Sequence, residues 1–321
     1  MRMNEVRAAN AQEFRILSID GGGIKGVFPA AFLAELEKSL SEPIYRYFDL
    51  IAGTSTGAIV ALGLGMGLKA AEITQFYKDH GPHIFPNAPL SAPKRWIGRL
   101  FSAKYSARPL QTALESVFKD ALLGESRVRL LIPSFNVNTG EIHIFKTRHH
   151  ERFLTDFRVR MVDVAMATAA APTYFPAHRG AGAAIYIDGG LWANNPVGNA
   201  VVEAISWLGK SPQQINVLSL GCTQFPVAFN DLKGGKDWML PALEVALRGQ
   251  SGGSLGIAYS LLGHERVKRV NPAAPQHKFE LDKASSISEL AAWAYLEARK
   301  ESSELIPRFF GSTAQKFVPV P

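Results

Sequence analysis

Three short stretches carry residue types that could do chemistry together. The first is Asp20-Gly21-Gly22-Gly23-Ile24-Lys25-Gly26, three consecutive glycines, then a lysine and a fourth glycine, following an apolar run. Backbone N–H groups bare of side chains, next to a helix start, can point at a developing negative oxygen. The second is Gly53-Thr54-Ser55-Thr56-Gly57, a G-x-S-x-G pattern. Small residues around the serine permit a cramped strand-to-helix turn that exposes the hydroxyl, which makes Ser55 a candidate nucleophile, with Gly53 and Gly57 supporting it. The third is Ala-Ala-Ile-Tyr-Ile-Asp-Gly-Gly, where an apolar strand ends at Asp188 before Gly189 and Gly190. A carboxylate at a strand end, with glycines allowing close approach, can reach a serine directly as its base.

Each stretch has a plainer reading. Gly21 to Gly26 also fits the dinucleotide fingerprint G-x-G-x-x-G, but Asp20 would then stand beside a pyrophosphate. The next apolar segment, FDLIAG, carries its acidic residue Asp49 at its start, whereas a ribose ligand belongs at its end. Ser55 could simply cap a helix, and Asp188-Gly189 could be an ordinary turn. Lys25 either adds positive potential or caps its loop. None of the eight histidines sits in a motif resembling a catalytic histidine loop, yet a histidine base stays an alternative to Asp188.

These residues need elements to position them. Short apolar runs alternate with longer amphipathic ones, the pattern of a largely parallel sheet flanked by helices in an α/β chain. Strands are expected at Arg15 to Ile19, Phe48 to Ala52, Arg129 to Val137, Glu141 to Lys146, Ala184 to Ile187 and Ile215 to Leu220, with a short one in HKFELD, 277–282. Helices are expected near Lys25 to Ser39, Ser55 to Met66, Ala70 to Asp79, Pro109 to Leu122, Arg160 to Ala170, Pro196 to Trp207, Lys236 to Arg248 and from about Ser288. Asn138-Thr139-Gly140 reads as a hairpin turn. Residues 81–108, with four prolines among aromatics and cations, read as a long loop. With no repeat and no clear linker, the expected organisation is an N-terminal arm (1–13), a catalytic core (14–221) and a C-terminal elaboration (222–321) packed on the same domain.

The glycine loop, the serine elbow and Asp-Gly-Gly occur in this order, together with AMATAAAPTYFPA at 165–177. In that combination the chain closely resembles the patatin-like phospholipase family, from about Phe14 to Gly221. The resemblance implies a three-layer α/β/α fold, a Ser–Asp dyad without histidine, and hydrolysis of lipid acyl esters without cofactor or metal. Carried over by position, Ser55 is the nucleophile, Asp188 the base, and Gly21, Gly22 and Gly23 the oxyanion loop. The opening FRILSIDGGGIKGVFPAAFLAELE looks most like the bacterial patatin-like effectors of cyclic-oligonucleotide antiphage systems, which are implied to be switched on by a cyclic dinucleotide and then to degrade the cell's own phospholipids.

Composition bounds the partners. A hydrophobic share of 47% with 20% charged residues excludes a disordered chain. The net charge of +7 favours anionic partners: nucleic acid, a nucleotide or an anionic membrane surface. Of these, the phospholipid membrane and a cyclic dinucleotide are the expected partners, with no DNA or RNA. KTRHHERF, with Lys146, Arg148, His149 and Arg152, suits phosphates or is a solvated loop. The 81–108 segment, with Arg95 and Arg99, is a lid, a membrane contact or part of an activator pocket. The single Cys222, and an N-terminus without an apolar signal segment, lead to the expectation of a cytoplasmic protein that meets the inner membrane face when active, and a homodimer is conceivable. The alternatives are an ungated lipid acyl hydrolase and a nucleotide-binding module without hydrolysis.

Overall fold

A computed structural model of the chain describes residues 13–86, 103–223, 235–274, 279 and 281–321, with side chains left out over 235–244. The elements in chain order are β1 (Phe14–Ile19), α1 (Val27–Glu37), β2 (Leu50–Gly53), α2 (Thr56–Met66), α3 (Ala70–Ile84), α4 (Arg108–Phe118), β3 (Arg129–Asn136), β4 (Glu141–Lys146), α5 (Met161–Thr168), β5 (His178–Arg179), β6 (Ile185–Asp188), α6 (Gly190–Ala193), α7 (Val197–Ser206), β7 (Ile215–Leu220), α8 (Gly235–Leu262), β8 (Val267–Val270) and α9 (Ile287–Phe309).

Among the described residues, eight strands form one mainly parallel sheet in the order β5-β6-β3-β2-β1-β7-β8, with β4 on the far edge of β3. Its central strands are apolar on both faces because helices cover both. In β1, Phe14 and Ile16 enter one core with α7 and α8, while Leu17 and Ile19 enter the other, larger core with α1 to α5 and α9. The alternation of a strand thus divides one apolar run between two helical layers, giving the three-layer α/β/α architecture.

The topology of β3 is what builds the site. β2 runs parallel to its first half, pairing Leu50 with Arg129 and Ala52 with Leu131. β6 runs antiparallel to its second half, pairing Asp188 with Ser134. β4 takes the opposite edge, so β2 and β6 share one edge and meet end to end, each with its C-terminus toward the other. The chain after Gly53 and the chain after Asp188 therefore emerge at the same place.

Several expectations need correction. HKFELD is not a strand at its described residues: Phe279 is a buried bend, and Leu281 and Asp282 form a turn. α3 continues through Pro82 to Ile84, so the expected loop over 81–108 begins as helix, and its residues 87–102 lie outside the described residues. α8 continues past Arg248 to Leu262, and α4 stops at Phe118. β5 and β8 were not expected: β5 has two residues, and β8, VKRV, carries two cations that hide its strand character. The expected hairpin is present, with Gly140 at φ +70 and Asn136 closing the turn.

Candidate active site

Ser55 stands between β2 and α2 with φ 54° and ψ −120°, a conformation that L-residues rarely adopt. The turn exists because the residues around it are small. A Cβ on Gly57 would lie 2.4 Å from the Ile19 carbonyl oxygen, so only glycine lets α2 start this close to β1. Gly53 packs against the Gly57 carbonyl in the same way. Two hydroxyls secure the elbow. Thr54 donates to the Ala193 carbonyl at 2.6 Å, and Thr168 accepts the Ser55 N–H at 3.0 Å while donating to the Pro133 carbonyl at 2.5 Å.

The Ser55 hydroxyl donates to Asp188 Oδ2 at 2.7 Å, and the Gly190 N–H donates to Oδ1 at 2.6 Å. Both partners are buried, Ser55 8% and Asp188 6% exposed, although the chain separates them by 133 positions. Burial pushes the Asp188 carboxyl up to about 6, against the pull of its two hydrogen bonds. Gly189 lies against the Pro133 carbonyl, which leaves no room for a side chain beside the carboxylate.

The glycine loop abuts the serine. A Cβ on Gly21 would be 3.3 Å from the Ser55 Cβ and 2.5 Å from Asn194 Oδ1. The Gly21 N–H is itself donated to the Asn194 carbonyl at 2.9 Å. Those of Gly22 and Gly23 donate to no described residue, nor does that of Thr56, the residue after the serine. Gly23 has φ +58°, and the Leu281 carbonyl oxygen stands 2.2 Å from where its Cβ would be. That carbonyl accepts the Ile24 N–H at 2.7 Å, and Lys25 Nζ reaches the Thr223 carbonyl at 3.4 Å, so Lys25 helps to tie down the loop. A hydroxyl in contact with a carboxylate can attack an acyl carbon, and undonated N–H groups on the loop that abuts it can hold the resulting oxyanion.

Residues 17–201 match the family described as patatin-like phospholipase. The chain belongs to that family. The patatin-like chain is 39% identical over 209 residues to a cGAMP-activated phospholipase of Pseudomonas aeruginosa, a match covering 65% of this chain and 62% of the relative. Proteins of the same name from Vibrio cholerae and Escherichia coli are 38% and 35% identical, over 57% and 68% of this chain and 56% and 65% of theirs. The chain thus spans about three fifths of the length of the curated relatives it matches.

Other sequence candidates of this patatin-like chain lie elsewhere. Lys146 and His149 both turn inward to Glu203, at 2.6 and 2.9 Å, on the α7 side of the sheet. Burial holds the His149 imidazole below the ordinary histidine range. Arg148 stacks on Phe157 and Arg152 on Trp207. Arg95 and Arg99 lie outside the described residues. Cys222 is buried and pushed up to about 12, first by burial and then by the neighbouring Asp20, which leaves no thiolate at neutral pH. Residue-by-residue reading missed Thr168, Asn194 and Arg269. Thr168 could have been singled out as the one polar residue in the run AMATAAA; Asn194 and Arg269 carry no such mark.

Among the described residues, no helix is long and apolar enough to cross a membrane, and no group of three or more His, Cys, Asp or Glu could hold a metal ion.

Proposed function

We propose that the chain is a serine acyl hydrolase that cleaves fatty acyl esters of membrane glycerophospholipids through a Ser55–Asp188 dyad and an acyl-enzyme, and that a cyclic dinucleotide switches it on. The observation that carries the chemistry is the 2.7 Å hydrogen bond from the Ser55 hydroxyl to the buried Asp188 carboxylate. Asp188 takes the hydroxyl proton as Ser55 Oγ attacks the ester carbonyl. The tetrahedral oxyanion is received by the N–H groups of Gly22 and Gly23, with that of Thr56 beside them. Gly21 serves by placing that backbone, since its own N–H is bound to Asn194. Collapse expels the lysophospholipid alkoxide, which takes the proton from Asp188. Water then attacks the acyl-enzyme with Asp188 again as base, and the fatty acid leaves.

A carboxyl lifted to about 6 suits this work, because it is ionised at neutral pH and far more basic than an exposed aspartate. The phospholipid substrate and the nucleotide switch are supported by the three relatives named cGAMP-activated phospholipases. An ungated hydrolase is the second reading, favoured by the internal pairing of Lys146 and His149 with Glu203, which takes two candidate phosphate contacts out of play.

The test is fatty-acid release from phosphatidylglycerol and phosphatidylethanolamine vesicles, by wild type and Ser55→Ala, with and without a panel of cyclic dinucleotides. Release that needs one nucleotide and needs Ser55 supports the gated reading. Equal release with and without nucleotide selects the ungated one, and release by Ser55→Ala overturns the dyad.

A further inference from the structure

We propose that Arg269 is a positioning residue for the oxyanion loop. Its guanidinium fixes Asp20, and through Asp20 the glycines that follow, and it cancels a carboxylate charge that would otherwise stand beside the developing oxyanion. The inference rests on the reading of Ser55 and the glycine loop given above.

Arg269 lies on β8, outside the residues that match the family. It grips Asp20 with both arms of its fork, Nη1 to Oδ1 at 2.8 Å and Nη2 to Oδ2 at 2.5 Å, and Nη1 also donates to Ser219 Oγ at 2.8 Å. Such a bidentate pair fixes orientation as well as position, which a lysine cannot do. The Asp20 main chain is held too: its N–H donates to the Leu220 carbonyl at 2.9 Å, and its carbonyl accepts from Cys222 Sγ at 3.3 Å. Three glycines in a row have the largest backbone freedom available to a chain. An oxyanion hole works only insofar as its dipoles are already aimed, so this loop needs anchors at both ends. Leu281 and Thr223 anchor the far end, and Arg269 anchors the near one.

The charge matters as much as the grip. Asp20 is 4% exposed and directly precedes Gly21, which abuts Ser55. With Arg269 gone, that buried carboxylate would lose its fork-shaped counter-charge and keep only the cation of Lys25 nearby, and in its ionised form it would oppose a second negative charge.

The experiment compares wild type, Arg269→Met and the double variant Asp20→Asn/Arg269→Met on p-nitrophenyl butyrate, with active sites counted by a fluorophosphonate. Arg269→Met should lower kcat about 100-fold per titrated site with KM within about twofold, and slow phosphonylation of Ser55 in step. The double variant, free of the stranded charge, should recover at least about tenfold of that loss. A purely structural Arg269 would lower the melting temperature and the number of titrated sites while leaving kcat per site unchanged, and that result overturns the proposal, as does a double variant no faster than the single. Should Arg269→Met not fold, Arg269→Lys carries the test. It keeps the charge and loses the fork, so kcat should fall several-fold at a near-native melting temperature, and unchanged kcat overturns the proposal. Ser55→Ala runs alongside: if it still hydrolyses the ester, the dyad reading itself has failed; if it is inert while Arg269→Met is fully active, only the Arg269 inference falls.

Discussion

Ser55 holds a strained backbone at the cost of stability, and Asp188 holds a buried charge in the same way. The strain predicts that Ser55→Gly is more stable than Ser55→Ala, by roughly 1 kcal/mol, because glycine adopts φ 54° freely and alanine does not. Thermal melts of the two variants check this, and equal melting temperatures would remove the strain argument. Asp188 predicts two pH effects. In the proposed role of base it must be ionised, so kcat/KM should rise with pH through about 6. Its folded-state value lies above the ordinary 3.8, so its stabilising protonated form is complete below that value and lost as pH rises through about 6. Asp188→Asn should therefore be more stable than wild type at pH 8, by about 2 to 3 kcal/mol, with the gain fading toward pH 4. Denaturant titrations at both pH values decide it.

At the scale of elements, the site is a junction between the end of β2, the end of β6 and the start of α2, pinned by the C-terminus of α5. Thr168 closes α5 and bonds both the elbow and β3. Thr168→Val keeps the shape but leaves the Ser55 N–H and the Pro133 carbonyl without this partner. It should cost about 1 to 3 kcal/mol of stability and about tenfold or more in kcat, with Thr168→Ser restoring most of both. A Thr168→Val enzyme with native kcat would show that the elbow stands without this bond. Gly57→Ala is the harsher change, since a methyl would meet the Ile19 and Asp20 carbonyls at 2.4 and 2.5 Å and separate α2 from β1. We expect little soluble protein from it, as judged by gel filtration.

Across the whole molecule, residues beyond the matched family segment complete both the core and the site. Phe309 and Phe310 of the C-terminal region pack on Phe48, and Trp293 packs edge-on against Phe28. Arg15 at the start of β1 donates to the Phe309 carbonyl. A chain ended before Ile287 would expose Phe28, Phe48 and the apolar face of α1, each buried in the intact protein. It should lose its cooperative thermal transition and bind a hydrophobic dye strongly, even though the dyad and every glycine of the loop remain present. A cooperative melt of that truncated chain would show the core to be self-sufficient.

What the amino-acid sequence determined by itself was the local chemistry. The glycine loop, the elbow and Asp-Gly-Gly were legible because each is a short run of residue types that a turn requires, and β1 and β2, which carry the first two, because buried parallel strands are apolar throughout. The order of the three motifs carried the family. Hidden from a linear reading were the contacts that no local rule encodes: β2 and β6 meeting end to end along β3, Thr168 under the elbow, and Asn194 and Arg269 at the glycine loop. Those depend on which strands share an edge and which helix ends beside them. That is settled only when burial of both sheet faces selects one arrangement of the whole chain, bringing Ser55 and Asp188, 133 positions apart in the sequence, to 2.7 Å.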